Sequence, residues 1–374
     1  MKQPGHSIRP LLLPPNYVWR SYRGGRELRR FRDGASGPDD HFPEDWLAST
    51  VRALNGANSQ GPDEGLSRIR MGLHEQFLAD ALAEQPEFWF GPSSRREHLG
   101  VLWKLLDAAE RLQLQAHPNE TFARRFLNSS AGKTECWYVL ATRGPAEVYL
   151  GFQRSPGREH WARLIQAQHL GAMLACFDPI PVQPGDCFVV PAGTPHAIGA
   201  GIFMLELQEP TDWVVRCEMR TTDGAPLPPE ACFMGLNLET CLDVFDYTAL
   251  SVTEVRDRWQ QRPRPIQWEA GFREEEIIDR RWHRFFRLHR LRGHGAAAWP
   301  GGELMLAVIV RGVGRLRVGR HVEPAHAGQT WLLPGCAHEW QWLHPTGEWE
   351  ILLAKLPLHT VGQPVTPATR CEPC

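Results

Sequence analysis

Gly185-Asp-Cys-Phe-Val-Val-Pro191-Ala-Gly193-Thr-Pro-His196 has a partner further along the chain, Gly328-Gln-Thr-Trp-Leu-Leu-Pro334-Gly-Cys-Ala-His338. Each reads as a glycine, one polar residue, a four-residue apolar strand, a proline, and a turn of small residues ending near a histidine. Each also follows a proline, Pro184 in the first copy and Pro324 in the second. A repeated strand–turn unit of this kind predicts two copies of one β-module.

The rest of the chain fits that reading. Its 34 glycines and 31 prolines fall about every ten residues or less, the punctuation of many short strands. Strand-like segments run over Trp137–Leu140, Glu147–Phe152, Phe188–Val190, Phe203–Leu207, Glu303–Val310 and Ile351–Leu356. Helical spacing is clear at Leu73, Phe77, Leu78, Ala81 and Leu82, which predicts a helix over Leu73–Leu82. Asn55–Gly65 reads as a loop, and Arg256–Pro265, with its charges and prolines, as a linker. The arginine-rich stretch Arg280–Arg292 alternates with Phe286 and Leu288 at near period two, so a strand with one solvated face is expected there rather than a nucleic-acid patch. Arg20–Arg32 is given the same structural reading.

Composition bounds the function. The 374 residues are 42% hydrophobic and 22% charged, the usage of a folded globular chain, and the length suggests two domains. A formal charge of -2 gives no basic field for nucleic acid. The apolar run Leu11–Leu13 is closed by Pro14 and Pro15, too short for a signal core or a membrane span. Nine irregularly spaced cysteines argue for a reducing, cytoplasmic setting. Cys371-Glu-Pro-Cys374 has no second pair and reads as a tail. The fifteen tryptophans read mostly as packing, and His283, His289, His294, His321, His326 and His344 show no ligand pattern.

Gly185, Pro191, Gly193 and His196 spell G-x5-P-x-G-x2-H, which resembles the second motif of cupins, small jelly-roll barrels. The second copy shifts its histidine and lacks a ligand strand before it, so it resembles a degenerate, metal-free cupin. The expected fold is mainly β with helical additions: a catalytic cupin domain with helical insertions over 1–250, a linker over 251–265, and a metal-free cupin domain over 266–374.

Upstream lies Leu112-Gln113-Leu114-Gln115-Ala116-His117-Pro118-Asn119, and then Gly132-Lys133-Thr134-Glu135-Cys136-Trp137. On a strand, residues two apart share a face. Gln113, Gln115 and His117 therefore point one way, and Lys133 and Glu135 share a face. With His196 the chain offers two imidazoles, one carboxylate and one carboxamide oxygen. Zinc accepts such nitrogen and oxygen sets and in catalytic sites keeps a position open.

These blocks resemble the class I mannose-6-phosphate isomerases. The likeness spans Trp19, Gly24-Gly25 and Leu28; Lys104, eleven residues before Gln115; Gln115-Ala-His117-Pro-Asn; Gly132-Lys-Thr-Glu135-Cys-Trp-Tyr; Pro191-Ala-Gly-Thr-Pro-His196-Ala-Ile-Gly-Ala-Gly201; and Glu206-Leu-Gln208-Glu-Pro-Thr-Asp212-Trp-Val-Val-Arg216. The resemblance implies that Gln115, His117, Glu135 and His196 hold one zinc ion per chain. It further implies that Lys104, Lys133, Asp212 and Arg216 surround a sugar phosphate, with Gln113 beside them, and that mannose 6-phosphate and fructose 6-phosphate interconvert through an enediol. Glu206 and Gln208 alternate on the strand leading to Asp212, so they face the site or serve in structural hydrogen bonds. The chain departs from the family at Gln113, where the isomerases carry a serine that helps hold the phosphate. It also departs at Cys217–Thr222 and in the lead-in to Glu44-Asp45-Trp46.

Aldose–ketose isomerisation moves a proton between neighbouring carbons while negative charge develops on the carbonyl oxygen. Arg216 is suited to stabilise that charge because it stays protonated. A lysine beside a dication releases its proton more readily, which makes Lys133 the best shuttle candidate. Asp212 is suited to orient Arg216 or to take a proton, and the sequence leaves the base open. Two other readings stand beside this one: the same zinc chemistry on another sugar or sugar phosphate, and a sugar-binding cupin without turnover. The presence of both Lys133 and Arg216 speaks against the second. An iron oxygenase is disfavoured because Gln115 and His117 replace a closely spaced histidine pair.

Overall fold

A computed structural model describes residues 8–35, 37–71, 74–269 and 271–358. The tail bearing Cys371 and Cys374 lies outside them. In chain order the first strands are β1 (Leu11–Leu12), β2 (Tyr17–Val18), β3 (Glu44–Leu47), and a separate hairpin of β4 (Arg68–Met71) and β5 (His74–Phe77). Next come β6 (Leu102–Ala108), β7 (Gln115–Ala116), β8 (Glu135–Thr142), β9 (Ala146–Leu150) and β10 (Ile180–Val182). They are followed by β11 (Cys187–Val190), β12 (His196–Ile198), β13 (Ile202–Gln208) and β14 (Val215–Arg216). The C-terminal strands are β15 (Arg264–Glu269), β16 (Phe272–Glu276), β17 (Arg287–Gly293), β18 (Ala297–Pro300) and β19 (Met305–Arg311). The last five are β20 (Val313–Val318), β21 (His321–His326), β22 (Thr330–Leu333), β23 (Glu339–Leu343) and β24 (Trp349–Lys355).

The repeat seen in the sequence recurs as topology. One sheet has the order β11-β8-β13-β6-β3-β2, and its C-terminal counterpart runs β22-β19-β24-β17-β16-β15. Facing these lie β10-β9-β12-β7 and β21-β20-β23-β18, so the two halves match strand for strand. The additions are β14 beside β7 and β1 beside β22. In each half the glycine–strand–proline–histidine segment crosses between sheets, from β11 to β12 and from β22 to β23. Gly185 and Gly328 enter those strands at φ 94° and 91°, a left-handed turn that disfavours side chains.

Period-two alternation explains the layering. On one face of the β6–β13–β8 sheet, Trp103, Leu105, Leu205, Leu207, Cys136 and Tyr138 pack against Leu288, Leu306, Leu332 and Leu352 of the C-terminal sheet. The residues between them, such as Leu106, Met204, Trp137 and Val139, turn inward and meet Val148, Leu150 and Ile198 of the facing sheet. Helices over Arg158–Gln166 and Leu170–Leu174 cover that sheet's outer side through Trp161, Ile165 and Met173. The C-terminal half encloses its own core around Trp340, Trp342 and Trp349. The buried tryptophans are core, as expected. Leu205 sits in the middle of the large shared interface, so Leu205→Ala is expected to cost about 2–5 kcal/mol, read as a lower urea midpoint. A loss below about 1 kcal/mol would mean that the two sheets are not close-packed there.

Several expectations need correction. Within Leu73–Leu82 only the second half is helical: His74–Phe77 is strand, and the helix runs over Leu78–Glu84. The expected linker is packed structure. Ser251 and Glu254 cap a helix over Val252–Trp259, whose Val255 and Trp259 enter the core, and Gln261 N donates to Cys187 O. The N-terminal segment is also tied to the C-terminal half, because β1 pairs with β22 and Arg32 donates to Gly328 O and Thr330 Oγ1. Arg280–Arg292 contains the strand β17, but its faces are covered: Leu288 and Leu291 enter different cores, and Arg290 and Arg292 pair with Glu275. Arg20–Arg32 is helical over Arg26–Asp33, and Arg20 itself is buried in the cleft described next.

Candidate active site

The two sheets of the N-terminal half bring the candidate ligands together from opposite sides. His196 opens β12 and pairs in register with Gln115 of β7, while Glu135 opens β8 opposite Gln208 of β13. Gly132 permits the approach of the connecting turn. A Cβ there would stand 2.6 Å from Pro118 O, and Lys133 N donates to that same oxygen at 3.0 Å. The turn after His117 is thereby fastened to the segment carrying Lys133 and Glu135.

His117 Nε2 lies 3.0 Å from Glu135 Oε1, and His196 Nε2 lies 3.6 Å from Glu135 Oε2. The Gln115 carboxamide reaches to 3.2 Å from His196 Nε2. All are buried except Gln115, which is partly exposed. Both rings are fixed from behind, His117 Nδ1 by Trp213 O at 2.9 Å and His196 Nδ1 by Thr194 O at 2.8 Å. A carbonyl oxygen only accepts, so each Nδ1 carries the proton and each Nε2 turns a lone pair into the cluster. Burial keeps the rings neutral: it takes His117 down to about 3, against the pull of Glu135, and lowers His196 as well. Two lone pairs and a carboxylate thus converge with donor atoms within 4.8 Å of one another, a donor set of the kind that holds a metal ion. Among the described residues these groups fit a divalent metal; the Gln115 amide, whose nitrogen faces His196, would have to turn its oxygen inward to serve as a fourth donor.

The remaining candidates line one cleft beside this cluster, where Arg20, Lys104, Lys133 and Arg216 face Glu44, Glu135, Glu206 and Asp212. Lys133 Nζ stands 3.0 Å from Glu135 and 3.4 Å from His117 Nε2. Lys104 Nζ lies between Glu206 at 3.0 Å and Glu44 at 3.6 Å. Burial, and then the charge of Glu135, push Glu206 up to about 7, close to the working range of a proton carrier. Gln208 is buried and donates to Thr211 O, the structural option left open for it.

Three placements refine the sequence reading. Asp212 does not orient Arg216: its two oxygens accept from Arg20 at 3.1 and 3.2 Å, and one also accepts from Leu54 N. Despite burial, Arg20 and Lys133 hold its carboxyl below the usual range, which suits an anchor better than a proton acceptor. Arg216 donates to Ala231 O at 2.7 Å and has no carboxylate within ion-pair distance among the described residues. Gln113 is tethered at both ends of its amide, to Ser21 Oγ and to Arg220 O.

Arg20, Ser21 and Glu44 were not found by sequence reasoning. For Glu44 a signal existed, since it shares a strand face with Trp46, whose indole donates to it at 2.7 Å. Arg20 offered none, being one arginine among many in its stretch.

Known proteins support the resemblance on which the sequence reading drew. The mannose-6-phosphate isomerase ManA of Bacillus subtilis is 28% identical over 326 residues, covering 87% of this chain and 93% of its own. The mannose-6-phosphate isomerase of Streptococcus mutans is 27% identical over 330 residues, 88% and 93% of the two chains. The crystal structure of the mannose 6-phosphate isomerase from Bacillus subtilis matches with a TM-score of 0.73 at 21% identity, over 93% of this chain and 99% of that one, which establishes the likeness of fold. No protein-family model matches the chain. The resemblance to mannose-6-phosphate isomerases therefore extends over almost all of the described fold.

Proposed function

We propose that this chain is a metal-dependent aldose–ketose isomerase that interconverts mannose 6-phosphate and fructose 6-phosphate. The observation that carries the reading is the cluster of two neutral imidazoles and a carboxylate opening onto a cleft with four cations and three further carboxylates. A bound divalent metal would add positive charge to this cleft and so favour the dianion of a sugar phosphate. The matching curated relatives carry the same activity in their names.

Gln115, His117, Glu135 and His196 would hold the metal, most simply zinc, one per chain. When bound, it supplies a positive charge that polarises the sugar carbonyl or aligns the two reacting oxygens. The chain's own groups do the rest. Lys133, poised over Glu135 and His117, accepts the proton from C2 of the aldose as O1 gains a proton to give the enediol, and returns it to C1 as O2 gives up its own. Glu206 is a second carrier in reach of Lys104. Arg216, uncommitted to any carboxylate, meets the developing oxyanion or the phosphate. Asp212 stays ionised and structural.

The two matched halves read as cupin modules, the first carrying the site over roughly residues 1–250 and the second metal-free over 266–374. The seven described cysteines are unpaired, and no described helix is long and apolar enough to cross a membrane, both in keeping with a cytoplasmic enzyme of sugar phosphates.

A second reading, the same chemistry on another sugar or sugar phosphate, is favoured by one observation: Gln113 spends its amide on Ser21 and Arg220. Phosphorylated sugars are expected to be preferred over free ones, with mannose 6-phosphate used less tightly than a free hydroxyl donor at that place would allow. Comparing kcat/KM for mannose 6-phosphate, free mannose and lyxose in the metal-replete protein tests this. Equal or better use of the free sugars would remove the phosphate and leave the isomerase chemistry standing.

A further inference from the structure

Arg20 is 4% exposed, yet its guanidinium lies in the wall of the cleft. Its Nε donates to Glu44 at 2.8 Å, Nη1 to Asp212 at 3.1 Å and to Asn55 Oδ1 at 3.1 Å, and Nη2 to Asp212 at 3.2 Å. The indole face of Trp46 lies 4.9 Å beneath it. Four of its five N–H groups are thus committed, so Arg20 has little left to offer a substrate. One of the carboxylates it holds, Asp212, acts on Arg216, the cleft cation without a carboxylate partner among the described residues. Glu44 is already 3.6 Å from Lys104, and Asp212 belongs to the same cleft wall as Arg216.

We infer that Arg20 is a positioning residue that restrains Asp212, with Glu44 behind it, and so keeps Arg216 available for the anionic group of the substrate. The inference deepens the proposed sugar-phosphate reading and rests on it for the identity of the anion. Geometry gives the reason that arginine serves here: only a planar fork can bind one carboxylate at two points while turning Nε to a second. If that fork is removed, two buried carboxylates lose their partner and turn to the nearest remaining cations, since an unpaired buried charge is far costlier than a rearranged pair.

The test uses the metal-loaded full-length protein and four forms of it: wild type, Arg20→Gln, Arg20→Lys, and Arg20→Gln combined with Asp212→Asn. For each, metal content, melting temperature, kcat and KM for mannose 6-phosphate, and the calorimetric Kd of inorganic phosphate are measured. Arg20→Gln is expected to retain metal and to weaken phosphate binding and raise KM by about tenfold or more, with a smaller change in kcat. Arg20→Lys should recover part of the loss. The double variant should bind phosphate more tightly than Arg20→Gln alone, because the freed carboxylate has been neutralised. A purely structural arginine would lower the melting temperature without this recovery. Wild-type KM and Kd in Arg20→Gln, or a double variant no better than the single one, would overturn the inference. Wild-type protein that binds phosphate but does not isomerise mannose 6-phosphate would instead overturn the proposed substrate, and the phosphate Kd values would still judge Arg20.

Discussion

His196→Ala is expected to empty the metal site and abolish turnover, while His338→Ala leaves both intact. The two histidines end the two copies of the repeated segment, so the comparison tests what distinguishes the halves. His196 Nε2 faces Glu135 and Gln115 with its Nδ1 proton fixed on Thr194 O. Alanine would leave one imidazole and one carboxylate as strong ligands. Losing a partner behind a ligand already weakens metal affinity about 10–100-fold, and losing a ligand itself should exceed that. His338 is exposed just ahead of β23, and the only described cluster of metal-binding type is His117, Glu135 and His196. Metal content after dialysis against a chelator should be about one ion per chain in wild type and His338→Ala, and near zero in His196→Ala. Metal that survived His196→Ala and left with His338→Ala would reverse the assignment of the two halves.

What could be read from the chain follows from where the signals are local. The repeat was legible because glycine, proline and a four-residue apolar strand constrain the same short turn in both copies, and that turn carries the crossing between sheets in each half. Strand parity put Gln115 and His117 on one face, although the hydrogen-bonded strand there is only two residues long. Pairing over long sequence distances has no such signal. Nothing in Leu11-Leu12 says that it lies against Leu332 and Trp331. A buried arginine is equally silent, since Arg20 is defined by Glu44 and Asp212, far away in the chain. The helix at Val252–Trp259 was a different matter. Ser251 and Glu254 form a capping box that the sequence does display, but the prolines and charges that follow it dominated the reading. At Leu73–Leu82 the apolar spacing was real, but pairing with Arg68–Met71 took its first half into a hairpin, as tertiary context overrides propensity.

Lys133→Met should keep the metal and lose turnover by at least about a hundredfold, the scale of acid–base help. Methionine nearly preserves the volume of the lysine stem, so any loss reports the ammonium group rather than a cavity. The ammonium stands 3.0 Å from Glu135 and 3.4 Å from His117 Nε2, at the edge of the cluster and in the wall of the cleft. Removing it leaves the ligand set itself intact, which separates binding from chemistry. Arg216→Ala should likewise retain metal and lose about a hundredfold or more, because its guanidinium is held by Ala231 O without a carboxylate partner among the described residues and so is the cation left to meet an anion. The two losses should differ in kind: Lys133→Met acting on kcat, and Arg216→Ala on KM as well if the arginine meets the phosphate. Near-normal kcat in metal-loaded Lys133→Met would eliminate it as the proton carrier and pass that role to Glu206, the buried carboxyl in the cleft pushed up to about 7. Glu206→Gln would then have to show the hundredfold loss instead, so the pair of variants assigns the proton to one side chain or the other.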